Sequence, residues 1–370
     1  MNTEGKKIKV AIVSKDLAKN GISSVIINYA ERMNLSKVEL TIFAGEVVDE
    51  NNKKILEKKG IKIIKLPCKE NKLDYYRKLY KTMNKNYFDI LHVHGNSTAM
   101  SIELFIGILK NIKIRIAHCH NSKKDKSIIK KIIFPIFNRL YTNAFACGEL
   151  AGKTLFGNRE FFIMRNGINT IKYQYNEQIR NEERKKLNVS NKIVLGHIGR
   201  FNSQKNHKFL IDLFENIARE NDKYVLLLIG NGPDYEKIKE RIDNSKYKDR
   251  IILYGETNEP EKMYLAMDIF VFPSLYEGLP LTLVEAQISG LNCVISDTIT
   301  DEVIIENVVK LPLNDIKKWK SVILNKKINY MRENFYSNNI IRIKEFDIND
   351  CVIDLEEKYN YLTNNNKGMM

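Results

Sequence analysis

Short, nearly uninterrupted apolar runs alternate with longer amphipathic stretches from the first residues to about position 300, and that rhythm leaves few architectures open. "IKVAIVS" (8–14) has the branched apolar content of a strand covered on both faces. "ISSVIINYAERMN" (22–34) follows with helical spacing. "VELTIFAG" (38–45), "IKIIKL" (61–66), "FDILHVHG" (88–95) and "IKIRIAHCH" (112–120) continue as strands. Strands separated by helices imply βαβ units, hence a parallel, doubly wound sheet.

The rhythm breaks at "RNGINTIKYQYNEQIRNEERKKLNVSNK" (165–192), which is polar and turn-rich, and a domain boundary is expected between 168 and 190. A second series then starts: "IVLGHIGR" (193–200), "YVLLLIG" (224–230), "RIILYGE" (250–256), "DIFVFPS" (268–274) and "NCVISD" (292–297). The reading is two Rossmann-like domains, 1–168 and 190–345, facing a central cleft. A C-terminal helix with a frayed tail, 346–370, is expected to pack back on the first. At 370 residues, two cores are also what surface-to-volume scaling favours.

No window reaches the roughly 18 apolar residues of a membrane span. "MNTEGKKIKVAIVS" reads as a first strand and not a signal peptide, so a cytoplasmic location is expected. Five scattered cysteines without CxxC spacing fit reduced, buried thiols. The net charge of +15 suits nucleic acid, anionic membrane or phosphorylated small molecules. No basic motif interleaved with aromatics supports nucleic acid.

Ligands of doubly wound sheets bind at the carboxyl ends of strands. In "LGHIGRFNSQKNHKFLIDLFENIA", Arg200 ends a strand and Lys205 precedes a helix. Two cations beside a helix N-terminus can hold a pyrophosphate, though solvated loop cations read the same way. "LLLIGNGP" places Gly230 and Gly232 at a strand end, and neither this turn nor the first loop, with Gly21 alone, completes a dinucleotide fingerprint. In "SLYEGLPLTLVEAQISGLNCVIS", Pro280 fits the first position of a helix that Gly290 ends. Its N-terminus favours phosphate. Glu277 and Glu285 should therefore face something else, and paired hydroxyls suit an acceptor-only carboxylate. Sugars on both sides of a pyrophosphate, a nucleotide sugar, meet that description.

The glutamate-x7-glutamate spacing of Glu277 and Glu285 resembles the signature of retaining family-4 glycosyltransferases of the GT-B fold, the exopolysaccharide and capsule type above all. "GRFNSQKNH", "IGNGP" and "RNGIN" are similar to the family's phosphate-binding, glycine-turn and interdomain segments. The resemblance implies an N-terminal acceptor domain and a C-terminal donor domain. It implies that Arg200 and Lys205 bind the diphosphate, Glu285 the ribose and Glu277 the transferred sugar. Backbone from Gly278, Leu279, Pro280 and Leu281, and the loop at Gly21, would lie near the donor. Pro280 stands where many relatives have glycine and cannot donate an N–H. Asn20 stands where a glycine pair is usual. His120, followed by Asn121, matches the family's histidine near the transferred sugar.

The implied reaction is metal-independent hexosyl transfer, with retention, from a nucleotide sugar, UDP-linked by family weight, to a lipid-linked glycan. No cofactor is expected. The alternatives are a catalytically silent GT-B partner subunit and a nucleotide-sugar epimerase. Intact glutamates speak against the first, and the lack of placeable acid–base carboxylates against the second. His92, His94, His118 and His120 form two HxH pairs that could hold a metal, but no carboxylate accompanies them. Finally, 123–140 alternates isoleucines with Lys123, Lys124, Lys130 and Lys131 around Pro135. It reads either as a core helix with a solvated basic face or as an interfacial helix on anionic lipid.

Overall fold

The computed structural model describes residues 6–18, 21–45, 48–68, 71–121, 128–325 and 332–367. The first series runs β1 (Ile8–Ser14), α1 (Gly21–Arg32), β2 (Val38–Ala44), α2 (Glu50–Lys58), β3 (Lys62–Lys65), α3 (Lys72–Thr82) and β4 (Ile90–Gly95). It continues through α4 (Ser101–Leu109), β5 (Ile114–Cys119), α5 (Ile128–Leu140), β6 (Asn143–Ala146), α6 (Glu149–Phe156) and β7 (Phe162–Ile163). The second runs α7 (Glu177–Lys186), β8 (Ile193–Ile198), α8 (His207–Ala218), β9 (Tyr224–Ile229), α9 (Tyr235–Asp243), β10 (Ile251–Gly255) and α10 (Pro260–Ala266). After it come β11 (Ile269–Phe272), α11 (Leu281–Ile288), β12 (Asn292–Ser296), β13 (Val308–Leu311), α12 (Ile316–Asn325), α13 (Phe335–Asn338), α14 (Ile340–Lys344) and α15 (Ile348–Lys367).

The chain forms two compact units: residues 1–168 with 345–370, and residues 169–344. The first is built on a seven-stranded sheet of order β3-β2-β1-β4-β5-β6-β7, every pairing parallel. Its buried strands carry Val10, Ile12, Ile42, Ile90 and Ile116, all at most 5% exposed. The order reverses at β1, so right-handed crossovers put α1 and α2 on one face and the helices after β3 on the other. On the α1 face α15 completes the layer, packing Val352, Leu355, Tyr359 and Leu362 into the same core as Val25, Ile26 and Tyr29.

The second unit has a six-stranded parallel sheet, β10-β9-β8-β11-β12-β13. Its order reverses between β8 and β11, which splays the loops after those two strands around one crevice at their carboxyl ends. The turn-rich stretch 168–190 is not a bare linker, because it contains α7 and belongs to the second unit. All five cysteines are free thiols, four of them buried.

Candidate active site

In the second unit, the loop after β8 carries Arg200 and Lys205, and the loop after β11 carries Glu277. Asn202 caps a single 3-10 turn, Ser203–Lys205, by accepting from the Lys205 N–H. Asn206 then takes left-handed backbone angles, φ 55°, which asparagine tolerates, and α8 begins. The two loops are stitched together. Gln204 Nε2 donates to the Tyr276 carbonyl at 2.8 Å, and its own carbonyl accepts from the Leu275 N–H at 2.8 Å. The Thr298 hydroxyl donates to the Ser274 carbonyl at 3.1 Å.

Lys205 Nζ donates to Glu277 Oε1 at 2.8 Å, with the two side chains 13% and 10% exposed, and lies 4.6 Å from the centre of the Phe272 ring. Lysine and glutamate, assigned from sequence to different parts of a donor, are thus neighbours in one ion pair. Arg200 is exposed and makes no ion pair among the described residues. The glycine turn after β9 supports this loop from behind. A Cβ on Gly230, at φ 135°, would lie 2.0 Å from the Gly199 carbonyl oxygen, and one on Gly232 2.3 Å from that of Phe201. Those glycines permit backbone contact between two turns and need no phosphate to explain them.

Pro280 is not the first helical residue, as its missing N–H suggested. It holds the cap position with extended angles, φ −74° and ψ 94°, and α11 starts at Leu281. The helix then buries Leu283 and Val284, places Glu285 one turn in, and stops at Gly290, φ 70°. Glu285 is not left open for ligand hydroxyls alone. Its Oε1 accepts from the Tyr173 hydroxyl at 3.1 Å and its Oε2 from the Tyr264 hydroxyl at 2.8 Å. Burial raises the Glu285 carboxyl above its ordinary range, and the two phenol hydrogen bonds pull it back. Burial raises both phenols as well, with Glu285 adding to it. Each carboxylate oxygen retains a lone pair for a further donor.

Three arginines fix the platform under Tyr264. Arg180 Nη1 donates to the carbonyls of Leu265 and Met267, both at 2.7 Å, and Arg184 Nη1 to that of Ala266 at 2.8 Å. Arg332 donates to Ser289 at 2.8 Å, Met267 at 2.9 Å and Tyr264 at 3.2 Å. These are the free carbonyls at the ends of α10 and α11, where a cation also meets the negative pole of the helix. Asp268 pairs with Arg180, and with Arg184 at 2.9 Å, and is the carboxylate among the three. Burial, with Arg180 adding to it, lowers Arg332 to about 9.

In the first unit, Gly21 is the first residue of α1, and a Cβ there would meet nothing within 4 Å, so packing does not demand glycine. Asn20 before it lies outside the described residues. His120 follows β5. Its N–H donates to Asn96 Oδ1 at 3.1 Å, and its Nε2 lies 2.9 Å from His94 Nδ1. The other ring nitrogen, Nδ1, is buried with no partner among the described residues. Burial lowers the His120 ring to about 3, so it is neutral at pH 7.

His92, His94 and His118 offer nitrogen atoms within 4.8 Å of one another. Four nitrogens of these rings already bond: His92 Nδ1 to the Tyr359 hydroxyl at 2.6 Å, His92 Nε2 and His118 Nδ1 to each other at 3.1 Å, and His94 Nδ1 to His120. His92 stacks on His94 and His118, with planes 22° and 25° apart. The rings thus stack and bond to one another through their nitrogens. Of the amphipathic stretch 123–140, residues 123–127, with Lys123 and Lys124, lie outside the described residues, as do the side chains of 128–132, with Lys130 and Lys131. Within α5, Phe137 is buried and Ile136 is 55% exposed.

Two parallel-sheet Rossmann-like units are the architecture of the GT-B class of glycosyltransferases. The family described as glycosyl transferases group 1 matches residues 179–326. EpsF of Bacillus subtilis (strain 168), a glycosyltransferase by assignment, is 30% identical over 82% of this chain and 82% of its own length. The capsular polysaccharide biosynthesis glycosyltransferase CapH of Staphylococcus aureus is 30% identical over 85% of this chain and 87% of its own. A solved structure of Anabaena HepE in complex with UDP and glucose superposes with a TM-score of 0.76 at 13% identity, covering 95% of this chain and 99% of that one. The chain belongs to the group 1 glycosyl transferases and has their GT-B fold.

Proposed function

We propose that this glycosyltransferase moves a hexosyl group from UDP-hexose to a lipid-linked intermediate of a surface polysaccharide, retaining the anomeric configuration and using no metal. The observation that carries the reading is the Lys205–Glu277 pair at 2.8 Å in the crevice between β8 and β11. Lys205 and exposed Arg200 take the diphosphate, and Glu277 holds the hexose beside them. Glu285, oriented by Tyr173 and Tyr264, takes the ribose hydroxyls. The backbone of Gly278, Leu279, Pro280 and Leu281 completes the donor surroundings in the second unit.

The bond from the anomeric carbon to the diphosphate breaks to leave an oxocarbenium-like sugar, and the acceptor hydroxyl adds from the face the diphosphate leaves, giving its proton to the departing phosphate oxygen. No carboxylate is placed as a nucleophile. The cations stabilise the charge that grows on the leaving group, the main electrostatic effect. Complexes of HepE with UDP and with UDP-glucose support the choice of base. A UDP-Gal:alpha-D-GlcNAc-diphosphoundecaprenol alpha-1,3-galactosyltransferase of Escherichia coli, 27% identical over 75% of this chain and 78% of its own length, supports the choice of acceptor. The relatives' names favour neither an epimerase nor a silent subunit.

Calorimetric titration with UDP, GDP and ADP, each with magnesium and with chelator, tests the donor side. UDP binding that survives chelator is the expected result. Binding of another nucleotide, or binding lost in chelator, overturns it. The anomeric coupling constant of the product, read by NMR, tests retention.

A further inference from the structure

We propose that the outer face of α4, in the first unit, is a docking surface for the headgroup layer of an anionic membrane. The doubly wound sheet places α3, α4 and α5 on one face, with α4 packed against both neighbours. A helix in that position needs one apolar stripe, toward the strands. Leu104, Ile106 and Gly107 supply it, Gly107 so close to Leu91 that a Cβ would approach its side chain to 2.5 Å. The opposite side of such a helix is ordinarily polar.

Here it is not. Ile102, Phe105, Ile108 and Leu109 are 38–48% exposed, and Ile102, Phe105 and Leu109 follow the three-and-four spacing of a single stripe. The one ionisable residue of α4, Glu103, is 1% exposed and turned inward. Ile136 on α5 and Tyr80 on α3 are large, exposed and on the flanking helices.

The neighbouring helix α3 is basic. From 72 to 85 the sequence has five lysines and arginines against Asp74, and Arg77, Lys78, Lys81 and Lys85 are exposed. Lys110 lays its ammonium 3.8 Å from the centre of the Tyr80 ring. An apolar stripe beside cations and tyrosine matches a lipid interface, where the apolar side chains enter the acyl boundary and the ammonium groups meet phosphate. A second copy of the chain suits it less, because a two-fold contact would set the basic helix against itself. No helix among the described residues is long and apolar enough to cross a membrane, so the contact is interfacial.

The proposal deepens the lipid-linked acceptor reading and rests on it. The test uses the full chain with vesicles of phosphatidylglycerol and phosphatidylcholine, and with pure phosphatidylcholine vesicles. Co-sedimentation at least about tenfold tighter with the anionic vesicles is expected. Phe105→Glu and, separately, Ile102→Ser should each cut it by about tenfold, with UDP affinity unchanged as the check on folding. Equal binding by variants and unaltered chain overturns the proposal, as does binding to neither vesicle. A dimer in solution that Phe105→Glu splits also overturns it and makes the face a self-contact. Vesicle binding without transfer to a lipid-linked acceptor removes the acceptor reading and leaves the surface. Transfer in detergent without vesicle binding does the reverse.

Discussion

Lys205 meets a carboxylate before any ligand arrives, so a diphosphate must share or displace Glu277. Removing the carboxylate's charge while keeping its shape separates the two roles. Glu277→Gln should bind UDP roughly fivefold tighter, the worth of about 1 kcal/mol, and lose transfer by more than about a hundredfold. Calorimetry and a transfer assay read the two effects, and weaker UDP binding would sink the pairing argument. Arg200, which has no carboxylate partner among the described residues, should on truncation to alanine weaken UDP roughly tenfold. The positions of Arg200, Lys205 and Glu277 in loops after strands, and of Glu285 in the helix that follows, were legible in the sequence. Tyr173 and Tyr264 were not, since nothing local marks a phenol 112 or 21 residues away as the partner of Glu285.

At the scale of elements, the strands announced themselves because burial on both faces demands unbroken apolar runs. "IKVAIVS" became β1 residue for residue, and most other runs matched within two residues. The failures are equally physical. β6 is four residues rich in alanine, "NAFA", too short to stand out. α7, "EQIRNEERKK", has one apolar residue in ten, so hydrophobic periodicity cannot find it. It is attached through Arg180 and Arg184, which donate to the end of α10 and to Asp268. Asp268→Ala would leave these guanidiniums and Arg332 buried with no counter-charge, and should cost about 3–5 kcal/mol. Urea unfolding of that variant measures it, and a loss under about 1 kcal/mol would mean the carbonyls alone hold the helix.

Across the whole molecule, five of the six histidines are buried and His120 is half-buried, and desolvation holds all six below their ordinary range: His92 and His120 at about 3, His207 at about 4, and His94, His118 and His197 well below. The unfolded chain takes up these protons near pH 6.5 and the folded chain does not. Their contribution is therefore complete above pH 6.5 and is lost as pH falls toward the folded values. The four in the first unit bond to one another, so their protonation is resisted together and the first unit should lose on the order of a few kcal/mol by pH 5.5. Urea midpoints at pH 7.5 and 5.5, followed by circular dichroism, should differ markedly, and coincident midpoints would contradict the neutral stack. One of those four, His92, bonds to Tyr359 of α15, which reaches the first unit only after the chain has traversed all of the second. On the ribosome the order of completion therefore inverts the order of synthesis. The unit begun first must wait, with the α1 side of its core uncovered, while the later one emerges as an unbroken segment free to close beforehand.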